Sequence, residues 1–261
     1  MPGEGLIDRA MGQSSRERRL RIAVAGLELD VAVWVHRRAK LQGPSPASNN
    51  VTAVLKGLRV VDHPVMARAV TELRAASTSR AAFRAAMADA SSMLAYEALR
   101  DVPTQEVEVQ TPLESTTGAH PTPVMVVAVL RAGLGMVDGF LRYVPGASVA
   151  HLGMRRNEET LQPEDYYESL PKGIDSSTVF VVDPMLATGG SATAALARMR
   201  AAGAKDLRLV CLIAAPEGVQ AVHSAHPDVP ILTAVLDRGL DERGFIRPGL
   251  GDAGDRLFGT D

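Results

Sequence analysis

The chain has 261 residues, of which 46% are hydrophobic and 22% are charged, and its formal net charge is −2. This length fits one domain with a sizeable core, with or without an appendage, and the near-neutral charge gives no sign of a nucleic-acid footprint over the whole chain. The longest apolar stretch near the start, 20–35, is interrupted by three charged residues, so it is neither a membrane span nor a signal sequence. The single cysteine, Cys211, lies in an apolar run, which predicts a buried thiol and a cytoplasmic location.

The first part of the chain differs in composition from the rest. It carries basic clusters at 16–21 and 37–40 and a linker rich in Pro, Ser and Asn. Such clusters can bind a polyanion, but they are usually solvated faces. The segment Leu27–Val35 begins with alternating apolar and polar residues, as a strand does. We find no site chemistry here, so we expect residues 1–57 to be a poorly ordered appendage, or the product of a start codon placed too early, attached to a domain formed by 58–261.

The domain is predicted to begin with a short strand at 60–61. Asp62-His63-Pro64 then opens a helix, and this sequence is more typical of capping than of catalysis. Ser79 is a predicted N-cap for a long helix with an apolar stripe, which supplies core or subunit contacts. Residues 106–109 alternate like a half-exposed strand, and 116–123 are predicted to form a loop.

From residue 123 the pattern becomes that of an α/β domain. Val124–Leu130 is a continuous apolar run of strand length, as in a central parallel strand. Strand-like and helix-like segments then alternate, which predicts a doubly wound, mainly parallel sheet flanked by helices. The later strands are predicted at 148–152, 178–182, 207–214 and 231–236, and the helices at 134–143, 192–202 and 216–225.

One stretch has the chemistry of a phosphate site. The apolar strand 179–182 ends on Asp183, and a Thr-Gly-Gly-Ser turn leads into an alanine-rich helix. Glycines let the backbone approach an anion, Thr188 and Ser191 offer hydroxyls, and the first N–H groups of the helix face it. Asp183 lies at the carboxyl end of its strand, where ligands bind in open α/β sheets. No Gly-Lys-Ser/Thr follows, so this is not a Walker loop.

Three other stretches are rich in site-forming residues. Arg131 follows a strand and opens a helix, where it is either a surface residue or a diphosphate ligand. Residues 153–171 are polar and strongly charged, as in a solvated hairpin. Its paired acids Glu158 and Glu159 have no His or Cys cluster beside them, which argues against a metal site of their own. Residues 244–255 are rich in glycine and carry two acids, which fits a turn but not an EF-hand.

The sequence Asp183-Pro-Met-Leu-Ala-Thr-Gly-Gly-Ser191 resembles the 5-phosphoribosyl-1-diphosphate (PRPP) loop of uracil phosphoribosyltransferases. Most enzymes of that fold carry two adjacent acids here, whereas this chain has Asp183-Pro184. The resemblance extends over about residues 60–261. It implies a phosphoribosyltransferase-like fold with a β-hairpin arm and a C-terminal hood that binds the base. It also implies transfer of the phosphoribosyl group to uracil, giving UMP and pyrophosphate, with Mg²⁺ carried by PRPP.

The same resemblance implies the site residues. Arg131 and Arg156 correspond to arginines that bind the diphosphate, and Asp183 to the acid that accepts from the ribose hydroxyls. Asp252 corresponds to a second PRPP contact and is a candidate general base. The implied catalytic set is Arg131, Arg156, Asp183 and Asp252. The implied PRPP contacts are Arg131, Arg156, Asp183, Pro184, Met185, Leu186, Ala187, Thr188, Gly189, Gly190, Ser191 and Asp252, and the implied uracil contacts are Ile246, Gly251, Asp252 and Ala253.

The chain departs from the family pattern at three positions besides Pro184. Arg155 and Phe245 stand where the family often has Tyr, and the second change removes any hydroxyl contact. Arg247 replaces a usual aliphatic residue, and nothing in the sequence explains it.

Two other interpretations stay open at this level. A transferase for another base, such as a purine, usually shows the paired acids that Asp183-Pro184 lacks. An RNA-binding pyrimidine regulator on the same fold needs a basic face, whereas the excess basic residues lie mainly in 1–57. The resemblance further implies a homo-oligomer, a dimer or larger, and GTP as an effector in some relatives. We expect no nucleic-acid or membrane partner.

Overall fold

The computed structural model describes residues 16–24, 27–35, 52–53, 57–156 and 163–260. By its internal contacts the chain divides into two compact units, residues 1–55 and 56–261.

The described backbone of the first unit is a three-stranded antiparallel sheet in the order β1-β2-β3. Its strands are β1 Arg16–Val24, β2 Leu27–Val35 and β3 Thr52–Ala53. The strand predicted at Leu27–Val35 is therefore confirmed as β2. Poor order of the whole appendage stays a prediction.

The second unit is built on one large sheet. Seven strands follow one another in the order β4-β13-β12-β10-β7-β8-β9, and β11 pairs with the end of β12. All neighbours are parallel except β8 and β9, which form an antiparallel hairpin arm. This confirms the predicted doubly wound, mainly parallel sheet with an arm. The strands are β4 Leu58–Val60, β7 Val124–Leu130, β8 Ser148–Arg156, β9 Pro163–Ser169, β10 Thr178–Val182, β11 Met185–Leu186, β12 Asp206–Ala214 and β13 Ile231–Leu236.

Helices flank the sheet and bury its apolar strands. The side chains of His63 and Ser79 accept the N–H groups of Val65 and Ala82, which confirms both as helix caps. No helix of the described residues is long and apolar enough to cross a bilayer. The helices are α1 Pro64–Arg74, α2 Arg80–Ala98, α3 Leu134–Leu141, α4 Gly190–Ala201, α5 Pro216–Ala225 and α6 Ala253–Phe258.

The core lies between the central strands and the helices. β7 and β10 are buried along nearly their whole length, as strands covered on both faces are. Phe140 of α3 packs against Phe180 of β10 with ring centroids 5.0 Å apart. Cys211 is fully buried in β12, as predicted, and burial raises the pKa of its thiol to about 12.

Two small antiparallel hairpins complete the unit. β5 (Thr104–Gln110) pairs with β6 (Ser115–Pro121), and both are almost entirely exposed. The predicted loop at 116–123 is therefore wrong: it is mostly strand, held by pairing with β5 and lacking the apolar alternation of a packed strand. The second hairpin, β14 (Gly239–Leu240) with β15 (Ile246–Arg247), precedes α6 and forms the C-terminal hood with it.

Candidate active site

A cavity of about 840 Å³ opens at the carboxyl ends of β7 and β10. One wall comes from the loop after β10, with Asp183, Met185 and Ala187, and Ala132 lies after β7. The rest of the lining comes from the hood, residues 240–248 and 251–254. This is the edge of a parallel sheet where ligands bind, because loops of separate strands converge there.

Asp183 is a half-buried acid that lines this cavity. Its Oδ1 accepts the N–H of Met185 at 3.2 Å. Burial raises the pKa of Asp183 to about 6; the Met185 N–H opposes the rise and the negative charge of Asp252 adds to it. Two of the predicted catalytic acids are therefore electrostatic neighbours.

The loop that follows Asp183 is fixed by its neighbours. The Pro184 carbonyl accepts the N–H groups of Leu212 and Ile213 at 3.1 and 2.9 Å, and β11 extends this pairing. On the other side the loop rests on α5 at Gly218. A Cβ on that glycine would lie 2.4 Å from the Ala187 carbonyl, so only glycine permits this approach.

The end of the loop becomes the first turn of α4. Thr193 donates its N–H to Gly189 at 2.8 Å, so the N–H groups at 190–192 precede the first bond of the helix. Amides at this position have no intrahelical acceptor and are available to an anion. The hydroxyl-bearing residues Thr188 and Ser191 are exposed beside them. The sequence prediction of strand, tight loop and helix is confirmed, and the arrangement can hold a phosphate.

Arg131 follows β7 and is half exposed. Its Nη2 donates to Asp255 Oδ1 at 3.1 Å and its Nη1 to Thr260 Oγ1 at 3.0 Å. Gly254, which lines the cavity, lies against the same guanidinium: a Cβ there would be 3.8 Å from Nη2. The predicted diphosphate ligand is thus next to the hood.

Arg156 is the last residue of β8, on the hairpin arm. Its side chain and that of Arg155 lie outside the described residues, so its diphosphate contact stays a prediction.

The four predicted base contacts line one cavity. Ile246 in β15 and Ala253 at the start of α6 are buried, whereas Gly251 and Asp252 are exposed. Asp252 caps α6, since its Oδ1 accepts the N–H of Asp255 at 2.9 Å. The side chain that neighbours Asp183 is therefore held in place by the helix it begins.

Sequence reasoning missed the part of the hood before residue 244. Asp241 Oδ1 accepts the N–H groups of Arg243 and Phe245 at 3.0 and 2.9 Å, and Oδ2 accepts Arg247 Nε at 2.7 Å. The Phe245 N–H, the Arg247 guanidinium and the Arg243 N–H hold the pKa of Asp241 below its usual value. Asp241 thus closes the hairpin, and Arg247 is explained as its ion-pair partner. An Asp followed by Glu-Arg-Gly was the available signal, since Asp bonds its own following backbone in turns.

Among the described residues, no cluster of three or more His, Cys, Asp or Glu side chains could hold a metal ion. The neighbouring carboxylates Asp183 and Asp252 make a pair, which is fewer than such a cluster needs. The other polar groups that line the cavity are side chains of the hood.

The fold and this loop define a phosphoribosyltransferase. Adenine phosphoribosyl transferase from Trypanosoma brucei superposes with a TM-score of 0.50 at 12% identity, covering 73% of this chain and 88% of that chain, which shows the shared fold. The AQ2163 protein from Aquifex aeolicus superposes with a TM-score of 0.75 at 36% identity, covering 78% of this chain and 99% of that chain.

The chain belongs to the uracil phosphoribosyltransferase family, whose sequence model matches residues 60–260. It is 56% identical to the uracil phosphoribosyltransferase of Salinibacter ruber over 207 residues, 79% of this chain and 99% of that protein. The family resemblance drawn from the motifs is thereby confirmed.

Proposed function

We propose that this chain transfers the phosphoribosyl group of PRPP to uracil, giving UMP and pyrophosphate in pyrimidine salvage. One observation carries the proposal. In a chain that shares 56% identity with a named uracil phosphoribosyltransferase, residues of the loop 183–191 and of the base segment 246–253 line the same cavity.

The loop 183–191 binds the ribose phosphate end of PRPP in this proposal. The N–H groups at the start of α4, with the Thr188 and Ser191 hydroxyls, hold the 5-phosphate. Asp183 accepts from the ribose hydroxyls. Its carboxylate, ionised above its raised pKa of about 6, also supports the positive charge that develops on the ribose ring.

The reaction exchanges one bond at ribose C1. The C1–O bond breaks and pyrophosphate leaves with the electron pair, while uracil N1 forms the new bond and loses its proton. Arg131 and Arg156 stabilise the departing diphosphate. Asp252 is the proposed acceptor of the N1 proton: its Oδ1 is occupied by the Asp255 N–H, which leaves Oδ2 for this role.

Mg²⁺ reaches this site as part of the substrate, bound to the diphosphate of PRPP. The two neighbouring carboxylates, Asp183 and Asp252, fit a site that receives such an ion, because their negative charge would favour a cation carried by the substrate. When bound, the ion adds positive charge to the leaving group.

The hood recognises the base by backbone groups in this proposal. Uracil presents an N3–H donor and an O4 acceptor, which carbonyl and N–H groups of the backbone at 246–253 complement. Cytosine presents the opposite pattern, and a mismatched buried polar pair is costly, so it is rejected. The comparisons give no support to the RNA-binding alternative.

A homo-oligomer is proposed on the hairpin β5–β6. This hairpin is almost entirely exposed, with Val109 38% and Leu113 94% exposed, and exposed strand edges with apolar side chains are typical pairing surfaces. GTP activation and a cytoplasmic location stay predictions.

The direct test is product analysis. The purified protein is incubated with PRPP, MgCl₂ and uracil, and the products are separated by chromatography, then identified and quantified by mass spectrometry. We expect UMP and pyrophosphate in equal amounts, and neither when EDTA removes the magnesium. Absence of UMP in the complete mixture would overturn the proposal.

A further inference from the structure

Three side chains form a closed hydrogen-bonded ring beside the cavity. Arg131 donates from Nη2 to Asp255 Oδ1 at 3.1 Å and from Nη1 to Thr260 Oγ1 at 3.0 Å. The Thr260 hydroxyl in turn donates to the same Asp255 Oδ1 at 2.7 Å. Each member therefore contacts both others, which fixes the plane of the guanidinium as a single ion pair would not.

The ring stands on a firmly anchored helix. Arg256, next to Asp255 on α6, donates to the carbonyls of Leu250 and Ala75 at 2.8 and 2.7 Å. Its guanidinium also stacks 4.3 Å above the ring centroid of Phe83 in α2. Asp255 is thus held by its own helix, independently of Arg131.

A glycine brings Thr260 into the ring. Gly259 ends α6 with φ +73°, in the left-handed region that favours glycine, and donates its N–H to the Asp255 carbonyl at 2.6 Å. The chain therefore folds back over Asp255, which places Thr260 beside it. Arg80 fills the space on the other side, since a Cβ on Gly259 would lie 1.9 Å from its Cζ.

The ring leaves some of the N–H donors of Arg131 unused. Arginine has five N–H donors, and two are used here, so Nε and one hydrogen on each terminal nitrogen remain for a diphosphate. The Arg131 and Asp255 side chains are 52% and 39% exposed. Ion pairs this exposed add little to fold stability. The arrangement therefore points to a role at the site rather than in the core.

We propose that Asp255 and Thr260 are positioning residues for Arg131: they hold its guanidinium in place before PRPP arrives, so that its free donors meet the diphosphate without a search of rotamers. This rests on the proposed function of Arg131 as a diphosphate ligand. Preorganised donors act best because they need no reorganisation during the reaction.

The test uses four variants of the full-length protein: Asp255→Ala, Asp255→Asn, Thr260→Val and Thr260→Ser. The matched control is Asp228→Asn, which removes the charge from another exposed Arg–Asp pair, Arg200 with Asp228, whose contact is 2.5 Å. Steady-state rates with varied PRPP and varied uracil, together with PRPP binding by calorimetry, are measured for each.

We expect Asp255→Ala and Thr260→Val to lower kcat/KM for PRPP by about tenfold or more, because small misplacements of a catalytic group are costly. The KM for uracil should stay within about twofold, as expected for a diphosphate-side effect. Thr260→Ser, which keeps the hydroxyl, should restore the parent value, and Asp255→Asn should fall between. Parent-like PRPP kinetics in both Asp255→Ala and Thr260→Val would overturn the inference.

A double-mutant cycle separates positioning from an independent effect. In an Arg131→Ala background, Asp255→Ala should cause no further loss. An equal loss in both backgrounds would show that Asp255 does not act through Arg131. If the parent protein makes no UMP, only the proposed function is overturned. PRPP binding then still tests the positioning role: weaker binding in Asp255→Ala would support it, and unchanged binding would contradict it.

Discussion

Arg74, the last residue of α1, and Asp237, which follows β13, form a two-pronged ion pair. Nη1 lies 3.0 Å from Oδ2 and Nη2 lies 2.5 Å from Oδ1. Between them they hold the backbone of Gly249: its N–H donates to Asp237 Oδ2 at 2.9 Å and its carbonyl accepts Arg74 Nη1 at 3.0 Å. The base segment on both sides of Gly249 is thereby tied to the main sheet and to α1.

Asp237→Ala should therefore destabilise the protein and impair base binding together. The Asp237 side chain is only 3% exposed and that of Arg74 is 23% exposed, so the variant leaves a largely buried cation without its partner. Losing one member of a buried pair costs about 3 kcal/mol or more. Urea unfolding should show this loss, and the KM for uracil should rise more than that for PRPP.

The exposed pair of Arg200 and Asp228 provides the control for this variant. Asp228→Ala should cost about 0–1 kcal/mol because its side chains are 42% and 65% exposed. Equal losses in the two variants would contradict the structural role of the buried pair.

The pH dependence of activity should report Asp183. Burial raises the pKa of its carboxyl to about 6, and the proposed role requires the ionised form, so kcat/KM for PRPP should fall as the pH drops through about 6. The charge of Asp252 contributes to the raised pKa, so Asp252→Asn should move the midpoint to lower pH, whatever it does to the rate. A midpoint that stays in place would contradict the coupling of the two acids.

The same shift sets the sign of the stability effect. Because the pKa of Asp183 is higher in the folded protein than in the unfolded chain, burying this carboxyl costs no ionisation energy below about pH 4. The folded state then loses stability as the pH rises through about 6. Asp183→Asn keeps the Oδ1 acceptor for Met185 and removes this cost. Its Tm relative to the parent should be higher at pH 8 than at pH 4.

Gly218→Ala should displace the loop 183–191, the proposed phosphate site, without changing a charged group. The new Cβ would meet the carbonyls of Ala187 and Leu186 at 2.4 and 2.8 Å, so the loop must move. We expect the KM for PRPP to rise about tenfold or more. Gly146→Ala is the matched control, because a Cβ there meets nothing within 4 Å. PRPP kinetics equal in both variants would show that the loop position does not matter.

Arg156→Ala should weaken the use of PRPP and leave the fold intact. Arg156 lies at the end of β8 on a hairpin arm, and loss of its proposed diphosphate contact would affect the use of PRPP more than that of uracil. Initial rates at varied PRPP, with a thermal melt of each protein, check this. Equal PRPP kinetics in variant and parent would refute the assigned role.

The sequence predicted what depends on local pattern. Three features were found as expected, and each is encoded by residues that are neighbours in the sequence. They are the apolar run Val124–Leu130, the loop after Asp183 and the Ser79 cap. The hairpin strand Ser115–Pro121 was misjudged because neither of its faces is buried, so there is no apolar alternation to detect.

Contacts between distant segments could not be predicted in this way. Arg74 and Asp237 are 163 residues apart, and Arg131 and Asp255 are 124 apart. No spacing rule links such positions, since tertiary packing alone brings them together. Arg247 had no explanation for the same kind of reason: its partner Asp241 is near in sequence, but only the turn of the hairpin aligns the two.

The measurement that tests the central claim most directly is pyrophosphate release from PRPP and Mg²⁺ with uracil, cytosine, hypoxanthine or orotate supplied separately. We predict release with uracil alone, because in the proposed function the loop 183–191 binds PRPP and the hood at 246–253 accepts only the hydrogen-bonding pattern of uracil. Release with a different base instead would contradict the base assignment. PRPP binding without release for any base would contradict the transferase itself.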